Sequence, residues 1–316
     1  MTLLDRLRLC IYLMQIVLFT LWVVSMAKIV TIINFKGGVG KTTCSIEMCA
    51  SLARFYGKRT LLVDLDPQAS ATFYVMEPER WKQWKNTNGS TFNLFEQRDQ
   101  YFPIRTAIVQ DVIRGHSTVF GFDLLPSNPD LIEVDLRLAD FVGYTVLQHY
   151  FEEIGDEYDY IICDCPPNFN PVTKNALWAS DAFVVPTIPD FLSTYGIGLL
   201  HRSVQKLFAS TNRTSVFRGP VLGGILLTRV KSNTNLHKAY RQQVHFDYPG
   251  MVFKQSISDS IAIASAAYDR MPISALNSPK GHEIELQEQF RNIAGEFINR
   301  IHQLRSQKIP EMSLLE

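Results

Sequence analysis

Seven residues, Lys28–Asn34 (Lys-Ile-Val-Thr-Ile-Ile-Asn), run directly into Phe35-Lys36-Gly37-Gly38-Val39-Gly40-Lys41-Thr42-Thr43. This junction constrains the fold more than any other stretch of the chain. The first run is short, apolar and β-branched, the pattern of a parallel strand buried on both faces. Beyond the glycines, Ile46, Cys49, Ala50 and Ala53 recur on one face of a helix expected over Thr43–Tyr56. A chain that turns from strand to helix through glycines leaves backbone N–H groups free at the turn. With no Cβ in the way they converge on an anion, and the helix N-terminus adds partial positive charge. The junction implies a phosphate cradle.

The residue types narrow this to a P-loop. Lys41 is placed to reach β- and γ-phosphates, and Thr42 to put its hydroxyl on Mg²⁺. The pattern G-x-x-x-x-G-K-[ST] is not fully met, because Phe35 occupies its first glycine position. A second lysine, Lys36, precedes the glycines. The stretch Lys36–Thr43 resembles the deviant Walker A motif of the ParA/MinD family of ATPases. The resemblance implies that Lys36, Gly37, Gly38, Val39, Gly40, Lys41, Thr42 and Thr43 bind ATP. It also implies that Lys36 reaches across a homodimer to the ATP held by the partner subunit. One lysine cannot neutralise a triphosphate, so a second one makes dimerisation depend on ATP.

Two further strands end in carboxylates. In Arg59–Asp66, Asp64 and Asp66 are two residues apart and share a face at the carboxyl end of an extended chain, the end where open α/β sheets bind ligands. The run Asp66-Pro67-Gln68 resembles the family's second motif, which implies that Asp66 orients the attacking water near Mg²⁺. For Asp64 a solvated strand end remains an equal alternative. Tyr160–Asp164 is a Walker B pattern followed by Pro166-Pro167, with Asp164 as a Mg²⁺-supporting carboxylate. Thr42, Asp66 and Asp164 form the expected metal site. Cys163 and Cys165 read as small fillers beside it.

Further strands are expected at Phe122–Pro126, Ala182–Pro186 and Val221–Thr228, and helices near Val146–Glu153, Leu192–Ala209, Leu236–His245 and Glu283–Leu304. The alternation predicts an α/β fold, a doubly wound, mostly parallel sheet flanked by helices. One domain is expected over residues 26–316. It carries an aromatic-rich insertion at about 76–121, whose Trp81, Trp84, Phe92, Phe95, Tyr101 and Phe102 are expected to form a local core. The resemblance places Thr228 and Arg229 near adenine. The tail after Leu304 lacks a basic amphipathic face, which weighs against a membrane-targeting role.

Cys10–Val24 is almost wholly apolar but spans 15 residues, short of the roughly 20 that cross a bilayer. Met26 is expected to be the start of the translated protein. A membrane-associated helix, or a helix packed on the domain, is the alternative for residues 1–25. Hydrophobic residues make up 46% of the chain, which excludes a disordered protein, and no series of spanning segments is present. The five cysteines follow no disulfide or zinc spacing, so a reducing, cytoplasmic setting is expected.

Lys+Arg and Asp+Glu are both 31, but the balance is local. Between residues 122 and 159 ten acids face Arg137 alone. Between 201 and 254, Arg202, Lys206, Arg213, Arg218, Arg229, Lys231, Lys238, Arg241 and Lys254 face Asp247 alone. A basic segment can bind phosphate backbones without reading sequence, which matches the non-specific DNA binding that the resemblance implies. In the chromosomal ParA-like proteins that the chain resembles, arginines often occupy the stretch matching Ser258–Ile263, whereas this chain has Asp259 and Ala262 there. The expectation is a slow, Mg²⁺-dependent ATP hydrolase, stimulated by a ParB-like or cargo-adaptor partner. It would act in plasmid or chromosome partitioning and associate with the nucleoid. The alternatives are a positioning ATPase for a non-DNA cargo or membrane-associated assembly, and a nucleotide-binding regulator without turnover.

Overall fold

The computed structural model describes residues 26–96, 101–113, 121–138, 144–209, 219–231 and 234–304. Residues 1–25, Arg213, Arg218 and the tail after Leu304 lie outside the described residues.

Six strands form one sheet in the order β3-β2-β4-β1-β5-β6, and every pairing is parallel. They are β1 (Lys28–Ile32), β2 (Thr60–Asp64), β3 (Asp123–Leu125), β4 (Tyr160–Asp164), β5 (Ala182–Thr187) and β6 (Val221–Leu227). The helices are α1 (Lys41–Tyr56), α2 (Ser70–Val75), α3 (Pro78–Thr87), α4 (Thr91–Glu96), α5 (Ile104–Ala107) and α6 (Leu131–Leu138). They continue with α7 (Val146–Ile154), α8 (Pro171–Ala179), α9 (Phe191–Ala209), α10 (Asn235–Asp247), α11 (Ile261–Tyr268) and α12 (His282–Gln303). All the expected strands and long helices are present. β1, β2, β3 and β6 end one or two residues before their apolar runs do, where the chain already turns into the loops at the carboxyl edge, whereas β4 matches its run and β5 extends one residue past it to Thr187.

The unbroken apolar runs are explained by two cores, one on each face of the sheet. Val30, Ile32, Leu62, Ile162 and Val184 join α1 and α12 on one face. Ile33, Leu61, Val63, Ile161, Phe183 and Val185 join α7, α8 and α9 on the other. Alternate residues of each strand thus serve opposite cores, so no position in the run can be polar without cost. Fully burying one such aliphatic side chain is worth about 1.5–3 kcal/mol. The expected face of the last helix is buried at Leu286, Phe290, Ile293, Phe297 and Ile301, while Leu304 is only partly covered.

In the aromatic segment, Phe92 and Phe95 are buried in the main core and Phe102 packs against it. Trp84 Nε1 donates to the Ala107 carbonyl, and Trp81 lies edge-on to Phe73. Tyr101 is exposed and donates its hydroxyl to Glu153. Among the described residues no helix is long and apolar enough to cross a membrane.

Candidate functional site

β1 lies between β4 and β5, so its carboxyl end opens onto the ends of both neighbours. The glycine loop leaves β1 there. Gly38 (φ 73°) and Gly40 (φ 83°) are left-handed, a conformation that costs glycine little and a side chain more. Gly40 is the N-cap of α1 and offers no side-chain oxygen, so the first amides of the helix stay available to a ligand. The helix begins at Lys41, two residues earlier than expected, because the Gly40 carbonyl already accepts from Cys44 N at 2.9 Å. Lys41 is buried, and its Nζ donates to the Lys36 carbonyl at 3.2 Å. Burial pulls its pKa down, against the opposing charges of Asp164 and Asp66.

Asp164 ends β4 directly beneath the start of α1. Its Oδ2 accepts from Thr42 Oγ1 at 2.9 Å and its Oδ1 from Ser45 Oγ at 2.8 Å. Burial pushes its pKa up to about 6, opposed by the two hydroxyl donors and by Lys41. Ser45 escaped the sequence reading, although it lies one turn beyond Lys41 on the same helix face. Thr42 spends its hydroxyl hydrogen on Asp164, which leaves its oxygen lone pairs for a cation. That donor set suits Mg²⁺ better than a protein-only cage. Among the described residues no cluster of three or more His, Cys, Asp or Glu side chains could hold a metal.

Asp66 is half-buried past the end of β2, and its Oδ1 accepts from Gln68 N at 2.9 Å. Asp64 is not solvated: it is fully buried and turned to the Thr72 amide and hydroxyl.

A cavity of about 550 Å³ spans these elements, a volume suited to a cofactor-sized ligand. Gly37, Gly38, Gly40, Lys41, Thr42, Thr43 and Asp66 line one part, and Thr228, Arg229, Ile257, Asp259 and Ile263 another. Thr228 Oγ1 donates to the Val39 carbonyl at 2.7 Å and Arg229 Nη1 to the Gly38 carbonyl at 3.3 Å. Both residues therefore brace the glycine loop as well as lining the cavity.

Three expected site residues do not line it. Val39 is fully buried, and Asp164 lies behind Thr42. Lys36 points to the β5 side, where its Nζ meets Asp190 Oδ2 at 2.8 Å. Asn34 fixes that arm of the loop, donating to the Pro186 carbonyl and accepting from Lys36 N. Asp190 and Asn34 carried no local signal, since both partners come from the distant β5 end.

The basic residues divide into groups. Arg202 and Lys206 sit on α9, and Lys238 and Arg241 on the neighbouring α10. Arg229 and Lys231 both face Asp259, at 3.4 and 3.7 Å. Lys254 lies apart from these, beside Glu296 of α12.

Residues 27–216 match a family described as an AAA domain, AAA_31. The sporulation initiation inhibitor protein Soj of Bacillus subtilis is 32% identical over 83% of this chain and 95% of its own length. The chromosome-partitioning ATPase Soj of Thermus thermophilus is 30% identical over 87% and 96%. A cobyrinic acid a,c-diamide synthase from Mycobacterium smegmatis, solved with bound ADP and magnesium, superposes with a TM-score of 0.61. It is 28% identical and covers 77% of this chain and 91% of its own. With its glycine loop, its two carboxylate-bearing strand ends and these relatives, the chain belongs to the ParA/Soj-type P-loop ATPases.

Proposed function

We propose that this chain is an ATP-driven dimerisation switch acting in plasmid or chromosome partitioning. One observation carries the reading: Lys41, Thr42 and Asp66 line a single cavity at the mouth of the glycine loop, with Asp164 supporting Thr42 from behind. The loop amides and Lys41 hold the phosphates. Thr42, backed by Asp164 and with Asp66 nearby, would hold Mg²⁺, which when bound compensates phosphate charge. Asp66 orients the attacking water. No His and no second free carboxylate stands beside Asp66 among the lining residues, so turnover is slow until a ParB-like or cargo-adaptor partner improves the alignment.

Lys36 has a cost to meet before it can reach a partner's nucleotide, because it must first leave Asp190. The Arg202, Lys206, Lys238 and Arg241 group is the favoured contact for non-specific DNA, which would place the protein on the nucleoid. The pairing of Asp259 with Arg229 and Lys231 favours a second reading, a positioning ATPase on a non-DNA surface, because it neutralises charge where a DNA-binding face would need it.

ATP hydrolysis by Lys41→Ala and Asp66→Ala tests the site. Each is expected to lose about 100-fold or more in kcat/KM, and unchanged turnover in both would overturn the assignment. Binding to random-sequence duplex DNA across a salt series, with ATP and with ADP, separates the two readings. Steeply salt-dependent binding with ATP alone supports partitioning, and none in either state supports the second.

A further inference from the structure

We infer that Asp64, Thr72 and Ser127 form a hydrogen-bonded ring that positions Asp66, a role that rests on the proposed part of Asp66 in hydrolysis. The ring closes through residues from three separate segments. Asp64 Oδ2, at the end of β2, accepts from Thr72 N at 2.8 Å and from Thr72 Oγ1 at 2.7 Å, both on α2. Thr72 Oγ1 in turn accepts from Ser127 N at 2.9 Å, just past the end of β3. Ser127 Oγ donates to the Asp66 carbonyl at 2.7 Å, and Asp66 N donates back to Asp64 Oδ1 at 3.2 Å.

Every hydrogen in the ring is used once. The single Thr72 hydroxyl hydrogen goes to Asp64, so its oxygen can receive the Ser127 amide. Asp64, Thr72 and Ser127 are each fully buried, and none of them lines the cavity. Water cannot easily replace these bonds, and none of the three side chains touches a ligand there. What the ring holds is the backbone of Asp66 at both its N–H and its carbonyl, while the Asp66 side chain is left to the cavity. Ala69, left-handed at φ 52°, folds the chain back so that Thr72 returns to Asp64, and its amide adds a second bond to the Asp66 carbonyl at 2.8 Å. The groups proposed to bind phosphate are built separately, on the glycine loop after β1 and the start of α1. Loosening the ring should therefore misplace Asp66 and leave ATP binding alone.

The test uses the full chain. Turnover, KM for ATP and equilibrium affinity for ATP are measured for Thr72→Val, Thr72→Ser, Ser127→Ala and Asp66→Ala, and for the first and third combined with Asp66→Ala. Thr72→Val keeps the shape and removes the hydroxyl, and Ser127→Ala, which removes one oxygen, stands in for it should Thr72→Val not fold. The expected result is a kcat lower by about tenfold in Thr72→Val and Ser127→Ala, with ATP affinity within about twofold. Thr72→Ser restores kcat to within about twofold, and on the Asp66→Ala background neither change lowers turnover further. Unchanged kcat in both single variants overturns the ring while leaving Asp66 its role. So does a matching loss of ATP affinity, or a further loss on the Asp66→Ala background. Wild-type turnover in Asp66→Ala overturns both the ring and the reading it rests on.

Discussion

Asp64 and Asp164 are the last residues of adjacent strands, and they stand opposite each other in the sheet register. Both are buried carboxylates at the same edge, yet they serve different segments. Asp164 receives two hydroxyls from α1, the helix that follows the glycine loop, and lies within the influence of Lys41. Asp64 receives the Thr72 amide and hydroxyl, and burial together with the charge of Asp164 pushes its pKa up to about 8. The position in the sheet is shared, and the donors that the following chain brings back decide the role. From the end of β4 the bonding runs to Thr42 in the cavity lining. From the end of β2 it runs through Thr72 and Ser127 to the backbone of Asp66.

The sharpest way to break this comparison is to replace one carboxyl group at a time. Asp164→Asn leaves Thr42 and Ser45 without a charged acceptor beneath the phosphate site. Its affinity for Mg²⁺-ATP should fall by about 100-fold, read by equilibrium binding of a fluorescent ATP analogue. Asp64→Asn should keep that affinity within a few-fold and lose turnover instead. Equal losses of affinity in the two variants would mean that the carboxylates form one site rather than two.

The two strand ends were also unequally legible in sequence. The β4 side was readable because its logic is local: an apolar run ends in Asp164, and Thr42 belongs to a contiguous motif. Ser45 could have been found from its helical spacing to Lys41. On the β2 side the strand and its two carboxylates were readable but the partners of Asp64 were not, because Thr72 meets Asp64 only through the left-handed turn at Ala69, and Ser127 arrives from another strand. The same holds for Lys36 and Asp190, joined by β5 rather than by proximity in the chain. Among the helices, α11 was missed because Ile-Ala-Ile-Ala-Ser-Ala-Ala-Tyr has no polar face to give a 3.6-residue period. α8 was missed as well, although it carries signals at its start, an Asn170 cap bonded to Thr173 N and Pro171 in the first turn.

Stability against pH offers a second test, in nucleotide-free protein. The folded pKa of Asp64 is raised to about 8, that of Glu47 to about 7 and that of Asp164 to about 6, each first by burial. Between the ordinary carboxylate range and these values the folded state binds more protons than the unfolded state. Each group therefore lowers stability as pH rises through that window, and the penalty is complete above the folded pKa. From pH 7 to 8 Asp164 is largely past its titration, while Asp64 and the tail of Glu47 are still titrating. Denaturant unfolding should show Asp64→Asn flattening the slope there by up to about 1.4 kcal/mol per pH unit relative to wild type. An unchanged slope would remove the contrast between the two strand ends.

The smallest expected effect lies at the outer limit of the β2 network. Trp81 on α3 donates from Nε1 to the Ser127 carbonyl at 2.9 Å and packs edge-on against Phe73 of α2. It therefore touches two of the segments that meet at the Asp66 loop, without belonging to the ring. Trp81→Phe keeps an aromatic ring against Phe73 and removes the N–H. The Ser127 carbonyl then loses one acceptor bond, a change of about 1 kcal/mol in local stability, but the Ser127 amide and hydroxyl that hold Thr72 and Asp66 are retained. Turnover should fall by no more than about twofold, with ATP affinity unchanged. A loss as large as that of Ser127→Ala would move the boundary of the positioning network out to α3. The aromatic segment would then be part of what sets the hydrolysis rate, rather than packing alone.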